Sequence, residues 1–221
     1  MPMLYSGGER WPFGSYSRKE ETRFDGGNLP AWLTAVNGTT AESTNSPQGG
    51  ASGIGGITIS GATNKRIDGP SIDLTDQALA AVSLTVVWTP MHAAGGVFFG
   101  FEAAGGTPTA AGGGVFQVAG AGNSAELQAY NEGTTTSLEA GAALRPVQGM
   151  RQNLTVTLTA HDGLGRDMPG LHLALQGVEM AGNDFPDDLA LGTVRPRLRW
   201  QGVPTGNVDH IHYVALERVW I

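Results

Sequence analysis

The run Leu154-Thr155-Val156-Thr157-Leu158-Thr159 constrains this chain more than any other stretch. Apolar and hydroxyl side chains alternate with a period of two, which gives a strand one apolar and one polar face. Leu171-His172-Leu173-Ala174-Leu175-Gln176 repeats the pattern, as do Ile57-Thr58-Ile59-Ser60 and Val82-Ser83-Leu84-Thr85-Val86, which leads into Val87-Trp88. Breaks fall at Asn64, Gly95-Gly96, Gly112-Gly113-Gly114, Asn131-Glu132-Gly133 and Asp162-Gly163, residues that favour turns. Helical signals are confined to two short stretches, Asp76 to Ala81 and Leu138 to Leu144, neither long enough for a stable amphipathic helix. Many short strands separated by glycine-rich turns predict an all-β fold: a two-sheet antiparallel jelly-roll sandwich with an extended N-terminal arm.

A chain of 221 residues is of single-domain size, and 40% hydrophobic residues suffice for a packed core despite 34 glycines. The net charge is −7, from 13 basic and 20 acidic side chains. That balance argues against nucleic acid or an anionic membrane as a partner. With no cysteine there is no disulfide scaffold, thiolate zinc site or thiol nucleophile, and the redox compartment stays open. The first 19 residues hold no apolar signal-peptide core and no stretch reaches a membrane-spanning run of apolar residues, so a soluble chain is expected.

Residues 1–24 differ from the rest. Leu4, Tyr5, Trp11, Phe13 and Tyr16 are set among Gly and Pro with no period of two or 3.6. Such aromatics either fold back on their own domain or dock into a neighbouring subunit. The expected division is an arm over 1–24 that makes assembly contacts and a sandwich over 25–221. The Gly/Ser/Thr/Asn-rich stretch from Asn37 to Gly56 is expected to be a long surface loop, and the Ala/Gly-rich stretch from Ala103 to Gly122 a hairpin tip.

Three segments in order resemble the concanavalin A-like lectin/glucanase superfamily, including its laminin G-like members. Phe24-Asp25-Gly26-Gly27-Asn28-Leu29-Pro30-Ala31-Trp32, followed by Gly56-Ile57-Thr58-Ile59, looks like the opening strands. Arg151 to Val178 looks like a strand pair joined through Ala160-His161-Asp162-Gly163, and Val208 to Val219 like a final strand that returns beside the first. The resemblance covers about residues 24–221 and implies a jelly roll, but the superfamily includes lectins, glycosidases, lyases and structural modules. A looser resemblance, of composition and aromatic arm, is to phage tail or capsid-surface proteins. It implies a virion location, with other virion proteins or further copies of this chain as partners.

The chemistry of the candidate motifs narrows the field. The glucanase branch alternates two glutamates and an aspartate along one strand. No Glu-x-Asp-x-Glu or Glu-x-Asp-x-x-Glu occurs here, and no glutamate stands two residues before an aspartate. Asp184, Asp187 and Asp188, beside Asn183 and Pro186, could offer calcium hard oxygen ligands, although a solvated acidic loop is the plainer reading. His210 and His212 share one face of a strand, where they could supply two metal ligands, with His161 or Asp162 as a third only by guess. Paired hydrogen-bonded histidines on a sheet are commoner, and no metal or cofactor is expected. Gly120-x-Gly122-x-x-Ala125 mimics a dinucleotide fingerprint but lacks the helix that would face a pyrophosphate. Trp32, Trp88, Trp200 and Trp220 lie in or beside strands and are expected in the core. Tyr130, Asn131 and Glu132, at an expected loop tip, are the candidate sugar contacts.

These readings lead to a non-enzymatic structural or adhesion protein of a phage virion whose lectin-like domain contacts host glycan. A free carbohydrate-binding module and a polysaccharide hydrolase or lyase with an atypical site are the alternatives.

Overall fold

In the computed structural model, residues 5–6, 9–10, 15–24, 29–36, 41–42, 57–62, 65–89, 96–103, 113–119, 125–131, 134–137, 149–162, 164, 166–179, 192–201 and 203–221 are described. Among them every regular element is a strand. Tyr5–Ser6 (β1) and Glu9–Arg10 (β2) pair only with each other. The remaining strands form two antiparallel sheets.

The first sheet is built on β14 (Gln152–His161), whose inward Leu154, Val156, Leu158 and Ala160 are fully buried. On one side of it lie β15 (Asp167–Leu175) and β16 (Val178–Glu179); on the other lie β9 (Leu79–Thr89), β18 (Val203–Trp220), β6 (Ile57–Ala62) and β5 (Ala41–Glu42). The Gln176-Gly177 turn between β15 and β16 has positive φ at both residues, the geometry that matches strand twist in a tight hairpin. The outward threonines also pair, with Ser83 to Thr157 at 2.8 Å and Thr85 to Thr155 at 3.1 Å between the hydroxyl oxygens. In the second sheet the order is β13 (Thr134–Ser137), β12 (Ala125–Asn131), β11 (Gly113–Ala119), β10 (Gly96–Ala103), β17 (Thr193–Gln201), β7 (Lys65–Asp68) and β4 (Thr34–Val36), with β8 (Ile72–Asp73) also on β17. Between the sheets lies one core cluster, in which Trp88 of the first meets Phe99 of the second edge-on at 4.9 Å. This is the expected two-sheet jelly-roll sandwich.

The segment expected as an arm divides in two. Its second half is β3 (Tyr16–Thr22), paired with β18 from Val214↔Thr22 to Trp220↔Tyr16. Tyr16, expected as an assembly contact, stacks on Trp220 at 5.1 Å and remains 61% exposed, and Tyr213 donates to Glu21 at 2.5 Å. Phe24 then turns inward with φ 56° and is 1% exposed. The strand that returns beside β18 is therefore Tyr16–Thr22, and the opening strand expected at 24–32 lies one segment earlier. Leu4, Trp11 and Phe13 lie outside the described residues.

Asp76 to Ala81, a stretch with a helical signal too short for a stable helix, is a turn followed by the start of β9, where Leu79 and Ala81 pair with Trp220 and Val219. Long-range strand pairing outweighs local helix propensity there. Leu138 to Leu144 lies outside the described residues. Trp88 is fully buried, and Trp32 and Trp220 pack against the core at partial exposure.

Candidate functional site

Strand alternation gives each sheet one face turned away from the inter-sheet core cluster, and on the second sheet that face is charged and, around Phe98, Gly100 and Arg197, buried. Inward, β17 presents the buried Val194 and Leu198 and β10 presents Phe99 and Phe101. Outward positions are Arg195, Arg197 and Arg199 on β17, Phe98, Gly100 and Glu102 on β10, and Arg66 and Asp68 on β7. Although outward, Arg197 and Glu102 are each 2% exposed and Asp68 5%.

Arg197 is the hub. Its Nε and Nη2 donate to both oxygens of Asp68, at 2.8 and 3.2 Å, and its Nη1 donates to Glu102 at 2.5 Å. Arg199 donates to the other Glu102 oxygen at 2.8 Å and lies over the Phe98 ring at 5.5 Å. Burial alone would depress the Arg197 guanidinium, but its hydrogen bonds to Asp68 and then Glu102 outweigh burial and raise its pKa. A buried network of this kind, off the core, is an arrangement found both as a structural clamp and at functional sites.

Register extends the network across the sheet. One row of paired residues runs Thr34, Asp68, Arg197, Gly100, Gly114, Tyr130, Thr135. The adjacent row on the same face runs Val36, Arg66, Arg199, Phe98, Phe116, Gln128, Ser137. Of the three expected sugar contacts, Tyr130 stands in line with Arg197, two glycines away. Asn131 pairs with Gly113 and Thr134 in a row of the other parity, and Glu132 lies outside the described residues. Tyr130 and Asn131 are the last two residues of β12.

Sequence reasoning missed the arginines. The signal was Arg195-Pro196-Arg197-Leu198-Arg199, three like charges at every second position of a strand. Spacing of two puts all three on one face, where they repel unless acidic partners intervene.

The paired histidines sit elsewhere, on the outward face of the first sheet. A bulge after Ile211 sets His212 and Tyr213 opposite Val87 alone. The His210 and His212 rings stack 6.4 Å apart, and His212 Nε2 meets the Thr89 hydroxyl at 2.8 Å. Burial, with Arg151 and His210 nearby, pushes the His212 imidazole down to about 4. His161 is not their partner: its Nε2 bonds the Leu74 carbonyl and its Nδ1 faces Asp167 at 3.1 Å. Among the described residues no three His, Asp or Glu are grouped to hold a metal. Asp184, Asp187 and Asp188 lie outside them. Gly120 and Gly122 of the dinucleotide-like motif lie outside the described residues; the strands on either side of them, β11 and β12, pair antiparallel with each other. Among the described residues no helix is long and apolar enough to cross a membrane.

Solved structures give the fold its class. Lectin II from Ulex europaeus is similar over 92% of this chain and 99% of its own, at 10% identity and a TM-score of 0.59. The carbohydrate recognition domain of Emp47p matches 91% of this chain and 94% of its own, at 12% identity and 0.55. The Crh5 transglycosylase matches 90% of this chain and 83% of its own, at 12% identity and 0.56. The chain has the concanavalin A-like jelly-roll fold of the lectins. No family model matches the sequence, and no curated protein matches it either.

Proposed function

We propose that this chain is a lectin-like, non-enzymatic carbohydrate-binding domain whose ligand lies along the outward face of the second sheet. The observation that carries the reading is the row joining the Arg197 ion network, the Gly100–Gly114 pair and Tyr130 on the face turned away from the inter-sheet core. Gly100 and Gly114 project no side chain from the sheet, the buried ion network holds that part of it rigid, and Tyr130 is the candidate aromatic for stacking a pyranose. The likeness to lectin folds supports this reading. The virion setting expected from composition has no support in these likenesses and forms no part of the proposal.

The buried carboxylates favour binding over hydrolysis. A retaining glycosidase needs two carboxyls about 5–5.5 Å apart, one able to give up a proton. Both oxygens of Glu102 accept from arginines, and Asp68 is held by the fork of Arg197. Neither is placed as a proton donor.

The test is a glycan array with the full chain, repeated with Tyr130→Ala. Binding that falls about tenfold in the variant, with an unchanged thermal midpoint, is expected for loss of one stacking contact. An array with no signal overturns the proposal, and new reducing ends or unsaturated products from any polysaccharide overturn its non-enzymatic part.

A further inference from the structure

We infer that Tyr16 and Arg18 form a second carbohydrate contact, on the first sheet, in which the open face of the Tyr16 ring stacks on a pyranose. The inference rests on the proposed function and adds a second place for the same class of ligand. Tyr130 stands on the other sheet, so the two contacts are separate.

Register places the contact. On β3, Tyr16, Arg18 and Glu20 alternate onto one face and pair with Trp220, Arg218 and Leu216 of β18. Leu216 is fully buried in the core, whereas Trp220 packs against the core at partial exposure. The side of β18 that fills the core at Leu216 therefore reaches the rim of the sandwich at Trp220, with Tyr16 next to it on β3. The two rings are 11° from parallel with centroids 5.1 Å apart, so Trp220 covers one face of Tyr16. Tyr16 is nonetheless 61% exposed, which leaves its other face to water. Its ring is thus both held in place and open.

Polar groups stand beside the ring. Arg18 has 66% of its side chain exposed and donates from Nη2 to Glu20 at 3.1 Å, and Glu20 is anchored in turn by Arg218 at 3.0 Å. Residues two apart on a strand lie about 6.5–7 Å from each other, so a sugar on Tyr16 brings its hydroxyls within reach of a guanidinium with donors to spare. An aromatic plane with a few fixed polar groups at its edge suits a ring that is apolar on its faces and hydroxylated around its rim. The size of the patch favours a sugar over a protein. One tyrosine offers about 150–250 Å², against about 800 Å² that each partner contributes to a stable protein complex. Its neighbours Arg18, Lys19 and Glu21 are charged and exposed, so they add little apolar area.

Calorimetry of the full chain with laminarihexaose, cellohexaose, mannohexaose and N-acetylchitohexaose tests the contact. Expected is at least one hexasaccharide bound at two independent sites, one weakened about tenfold by Tyr16→Leu, as for loss of one stacking contact, and the other by Tyr130→Ala. Leucine keeps Trp220 covered, and Tyr16→Phe, which keeps the ring, should bind as wild type. Arg18→Gln should weaken the same site as Tyr16→Leu by a few fold. Thermal midpoints measured beside each variant separate lost contact from lost fold. Binding that Tyr16→Leu leaves unchanged overturns the inference, and its loss in Tyr130→Ala then leaves the proposed function standing. Binding weakened by Tyr16→Leu but not by Tyr130→Ala supports the inference and overturns the placement of the ligand on the second sheet. Equal losses in Tyr16→Leu and Tyr16→Phe overturn the stacking. Binding to none of the four overturns the inference, while the glycan array decides the proposed function.

Discussion

Two buried side chains set what individual residues contribute. Arg197 bridges two carboxylates withdrawn from water, so removing its charge leaves Asp68 with Arg66 alone and Glu102 with Arg199 alone. Arg197→Met is expected to cost about 3–5 kcal/mol, the usual penalty for breaking a buried ion pair from one side. Arg197→Lys should recover part of that, since an ammonium keeps the charge but lacks the fork. Urea denaturation midpoints rank the two, and a methionine variant within about 1 kcal/mol of wild type would show the network to be dispensable. His212 works through protons. Its folded pKa is about 4, below the ordinary histidine value of 6.5, so the unfolded chain takes up the proton first on acidification. Its contribution is therefore fully present above about pH 6.5 and is lost as pH falls towards 4, amounting to about 3 kcal/mol at most. Asp73 and Asp162, whose pKa values are lowered from 3.8, act below that window. Replacing His212 with Gln should flatten the stability profile between pH 4 and 6.5, read as urea midpoints at successive pH values. An unchanged profile would remove His212 from the account.

At the scale of elements, β3 is held by ion pairs and an aromatic stack more than by apolar burial. Its sequence, Tyr-Ser-Arg-Lys-Glu-Glu-Thr, is mostly exposed. Arg218 reaches Glu20 at 3.0 Å, Tyr213 donates to Glu21 at 2.5 Å, and Tyr16 covers Trp220. A chain starting at Ser15 should keep the thermal midpoint of the full chain, whereas one starting at Asp25 should lose several degrees and aggregate through the bared edge of β18. Light scattering during a thermal ramp distinguishes them, and equal behaviour of both truncations would make β3 an ornament. The same element shows what a sequence discloses. β14 and β15 were legible because one face is buried and the alternation is written in Leu and Val against Thr and His. β3 was not, because seven charged and polar residues carry no apolar period and their partner lies at the far end of the chain. The outward arginines were legible in their spacing but not in their meaning. Register alone brings Asp68 and Glu102 beside Arg197. Tyr130 was singled out as a loop residue and stands in a strand, in the same row as that hub.

For the whole molecule, β18 is the spine. Of its 18 residues, His210 to Trp220 pair with β9 along one edge, while the other edge pairs with β6 up to Ile211 and with β3 from Val214. The Tyr213–Glu21 contact closes a loop of 192 residues, so the first sheet cannot be completed until the last residues are in place. Loop closure must be met before those contacts return any stability, and non-local β topologies accordingly fold in milliseconds to seconds. Stopped-flow refolding followed by tryptophan emission should fall in or below that range. A chain ending at Asn207 keeps the strands of the second sheet but leaves one edge of β9 unpaired and exposes Leu84, Val86 and Trp88 to water. Burying side chains of that size is worth about 1.5–3 kcal/mol each, comparable in sum to the whole stability of a domain. Such a chain should therefore show no cooperative transition in urea, and addition of a peptide spanning residues 208–221 should restore one. A cooperative transition near the full-length midpoint without the peptide would mean that the core closes on the remaining strands, and that β18 is a late addition to a sandwich already formed.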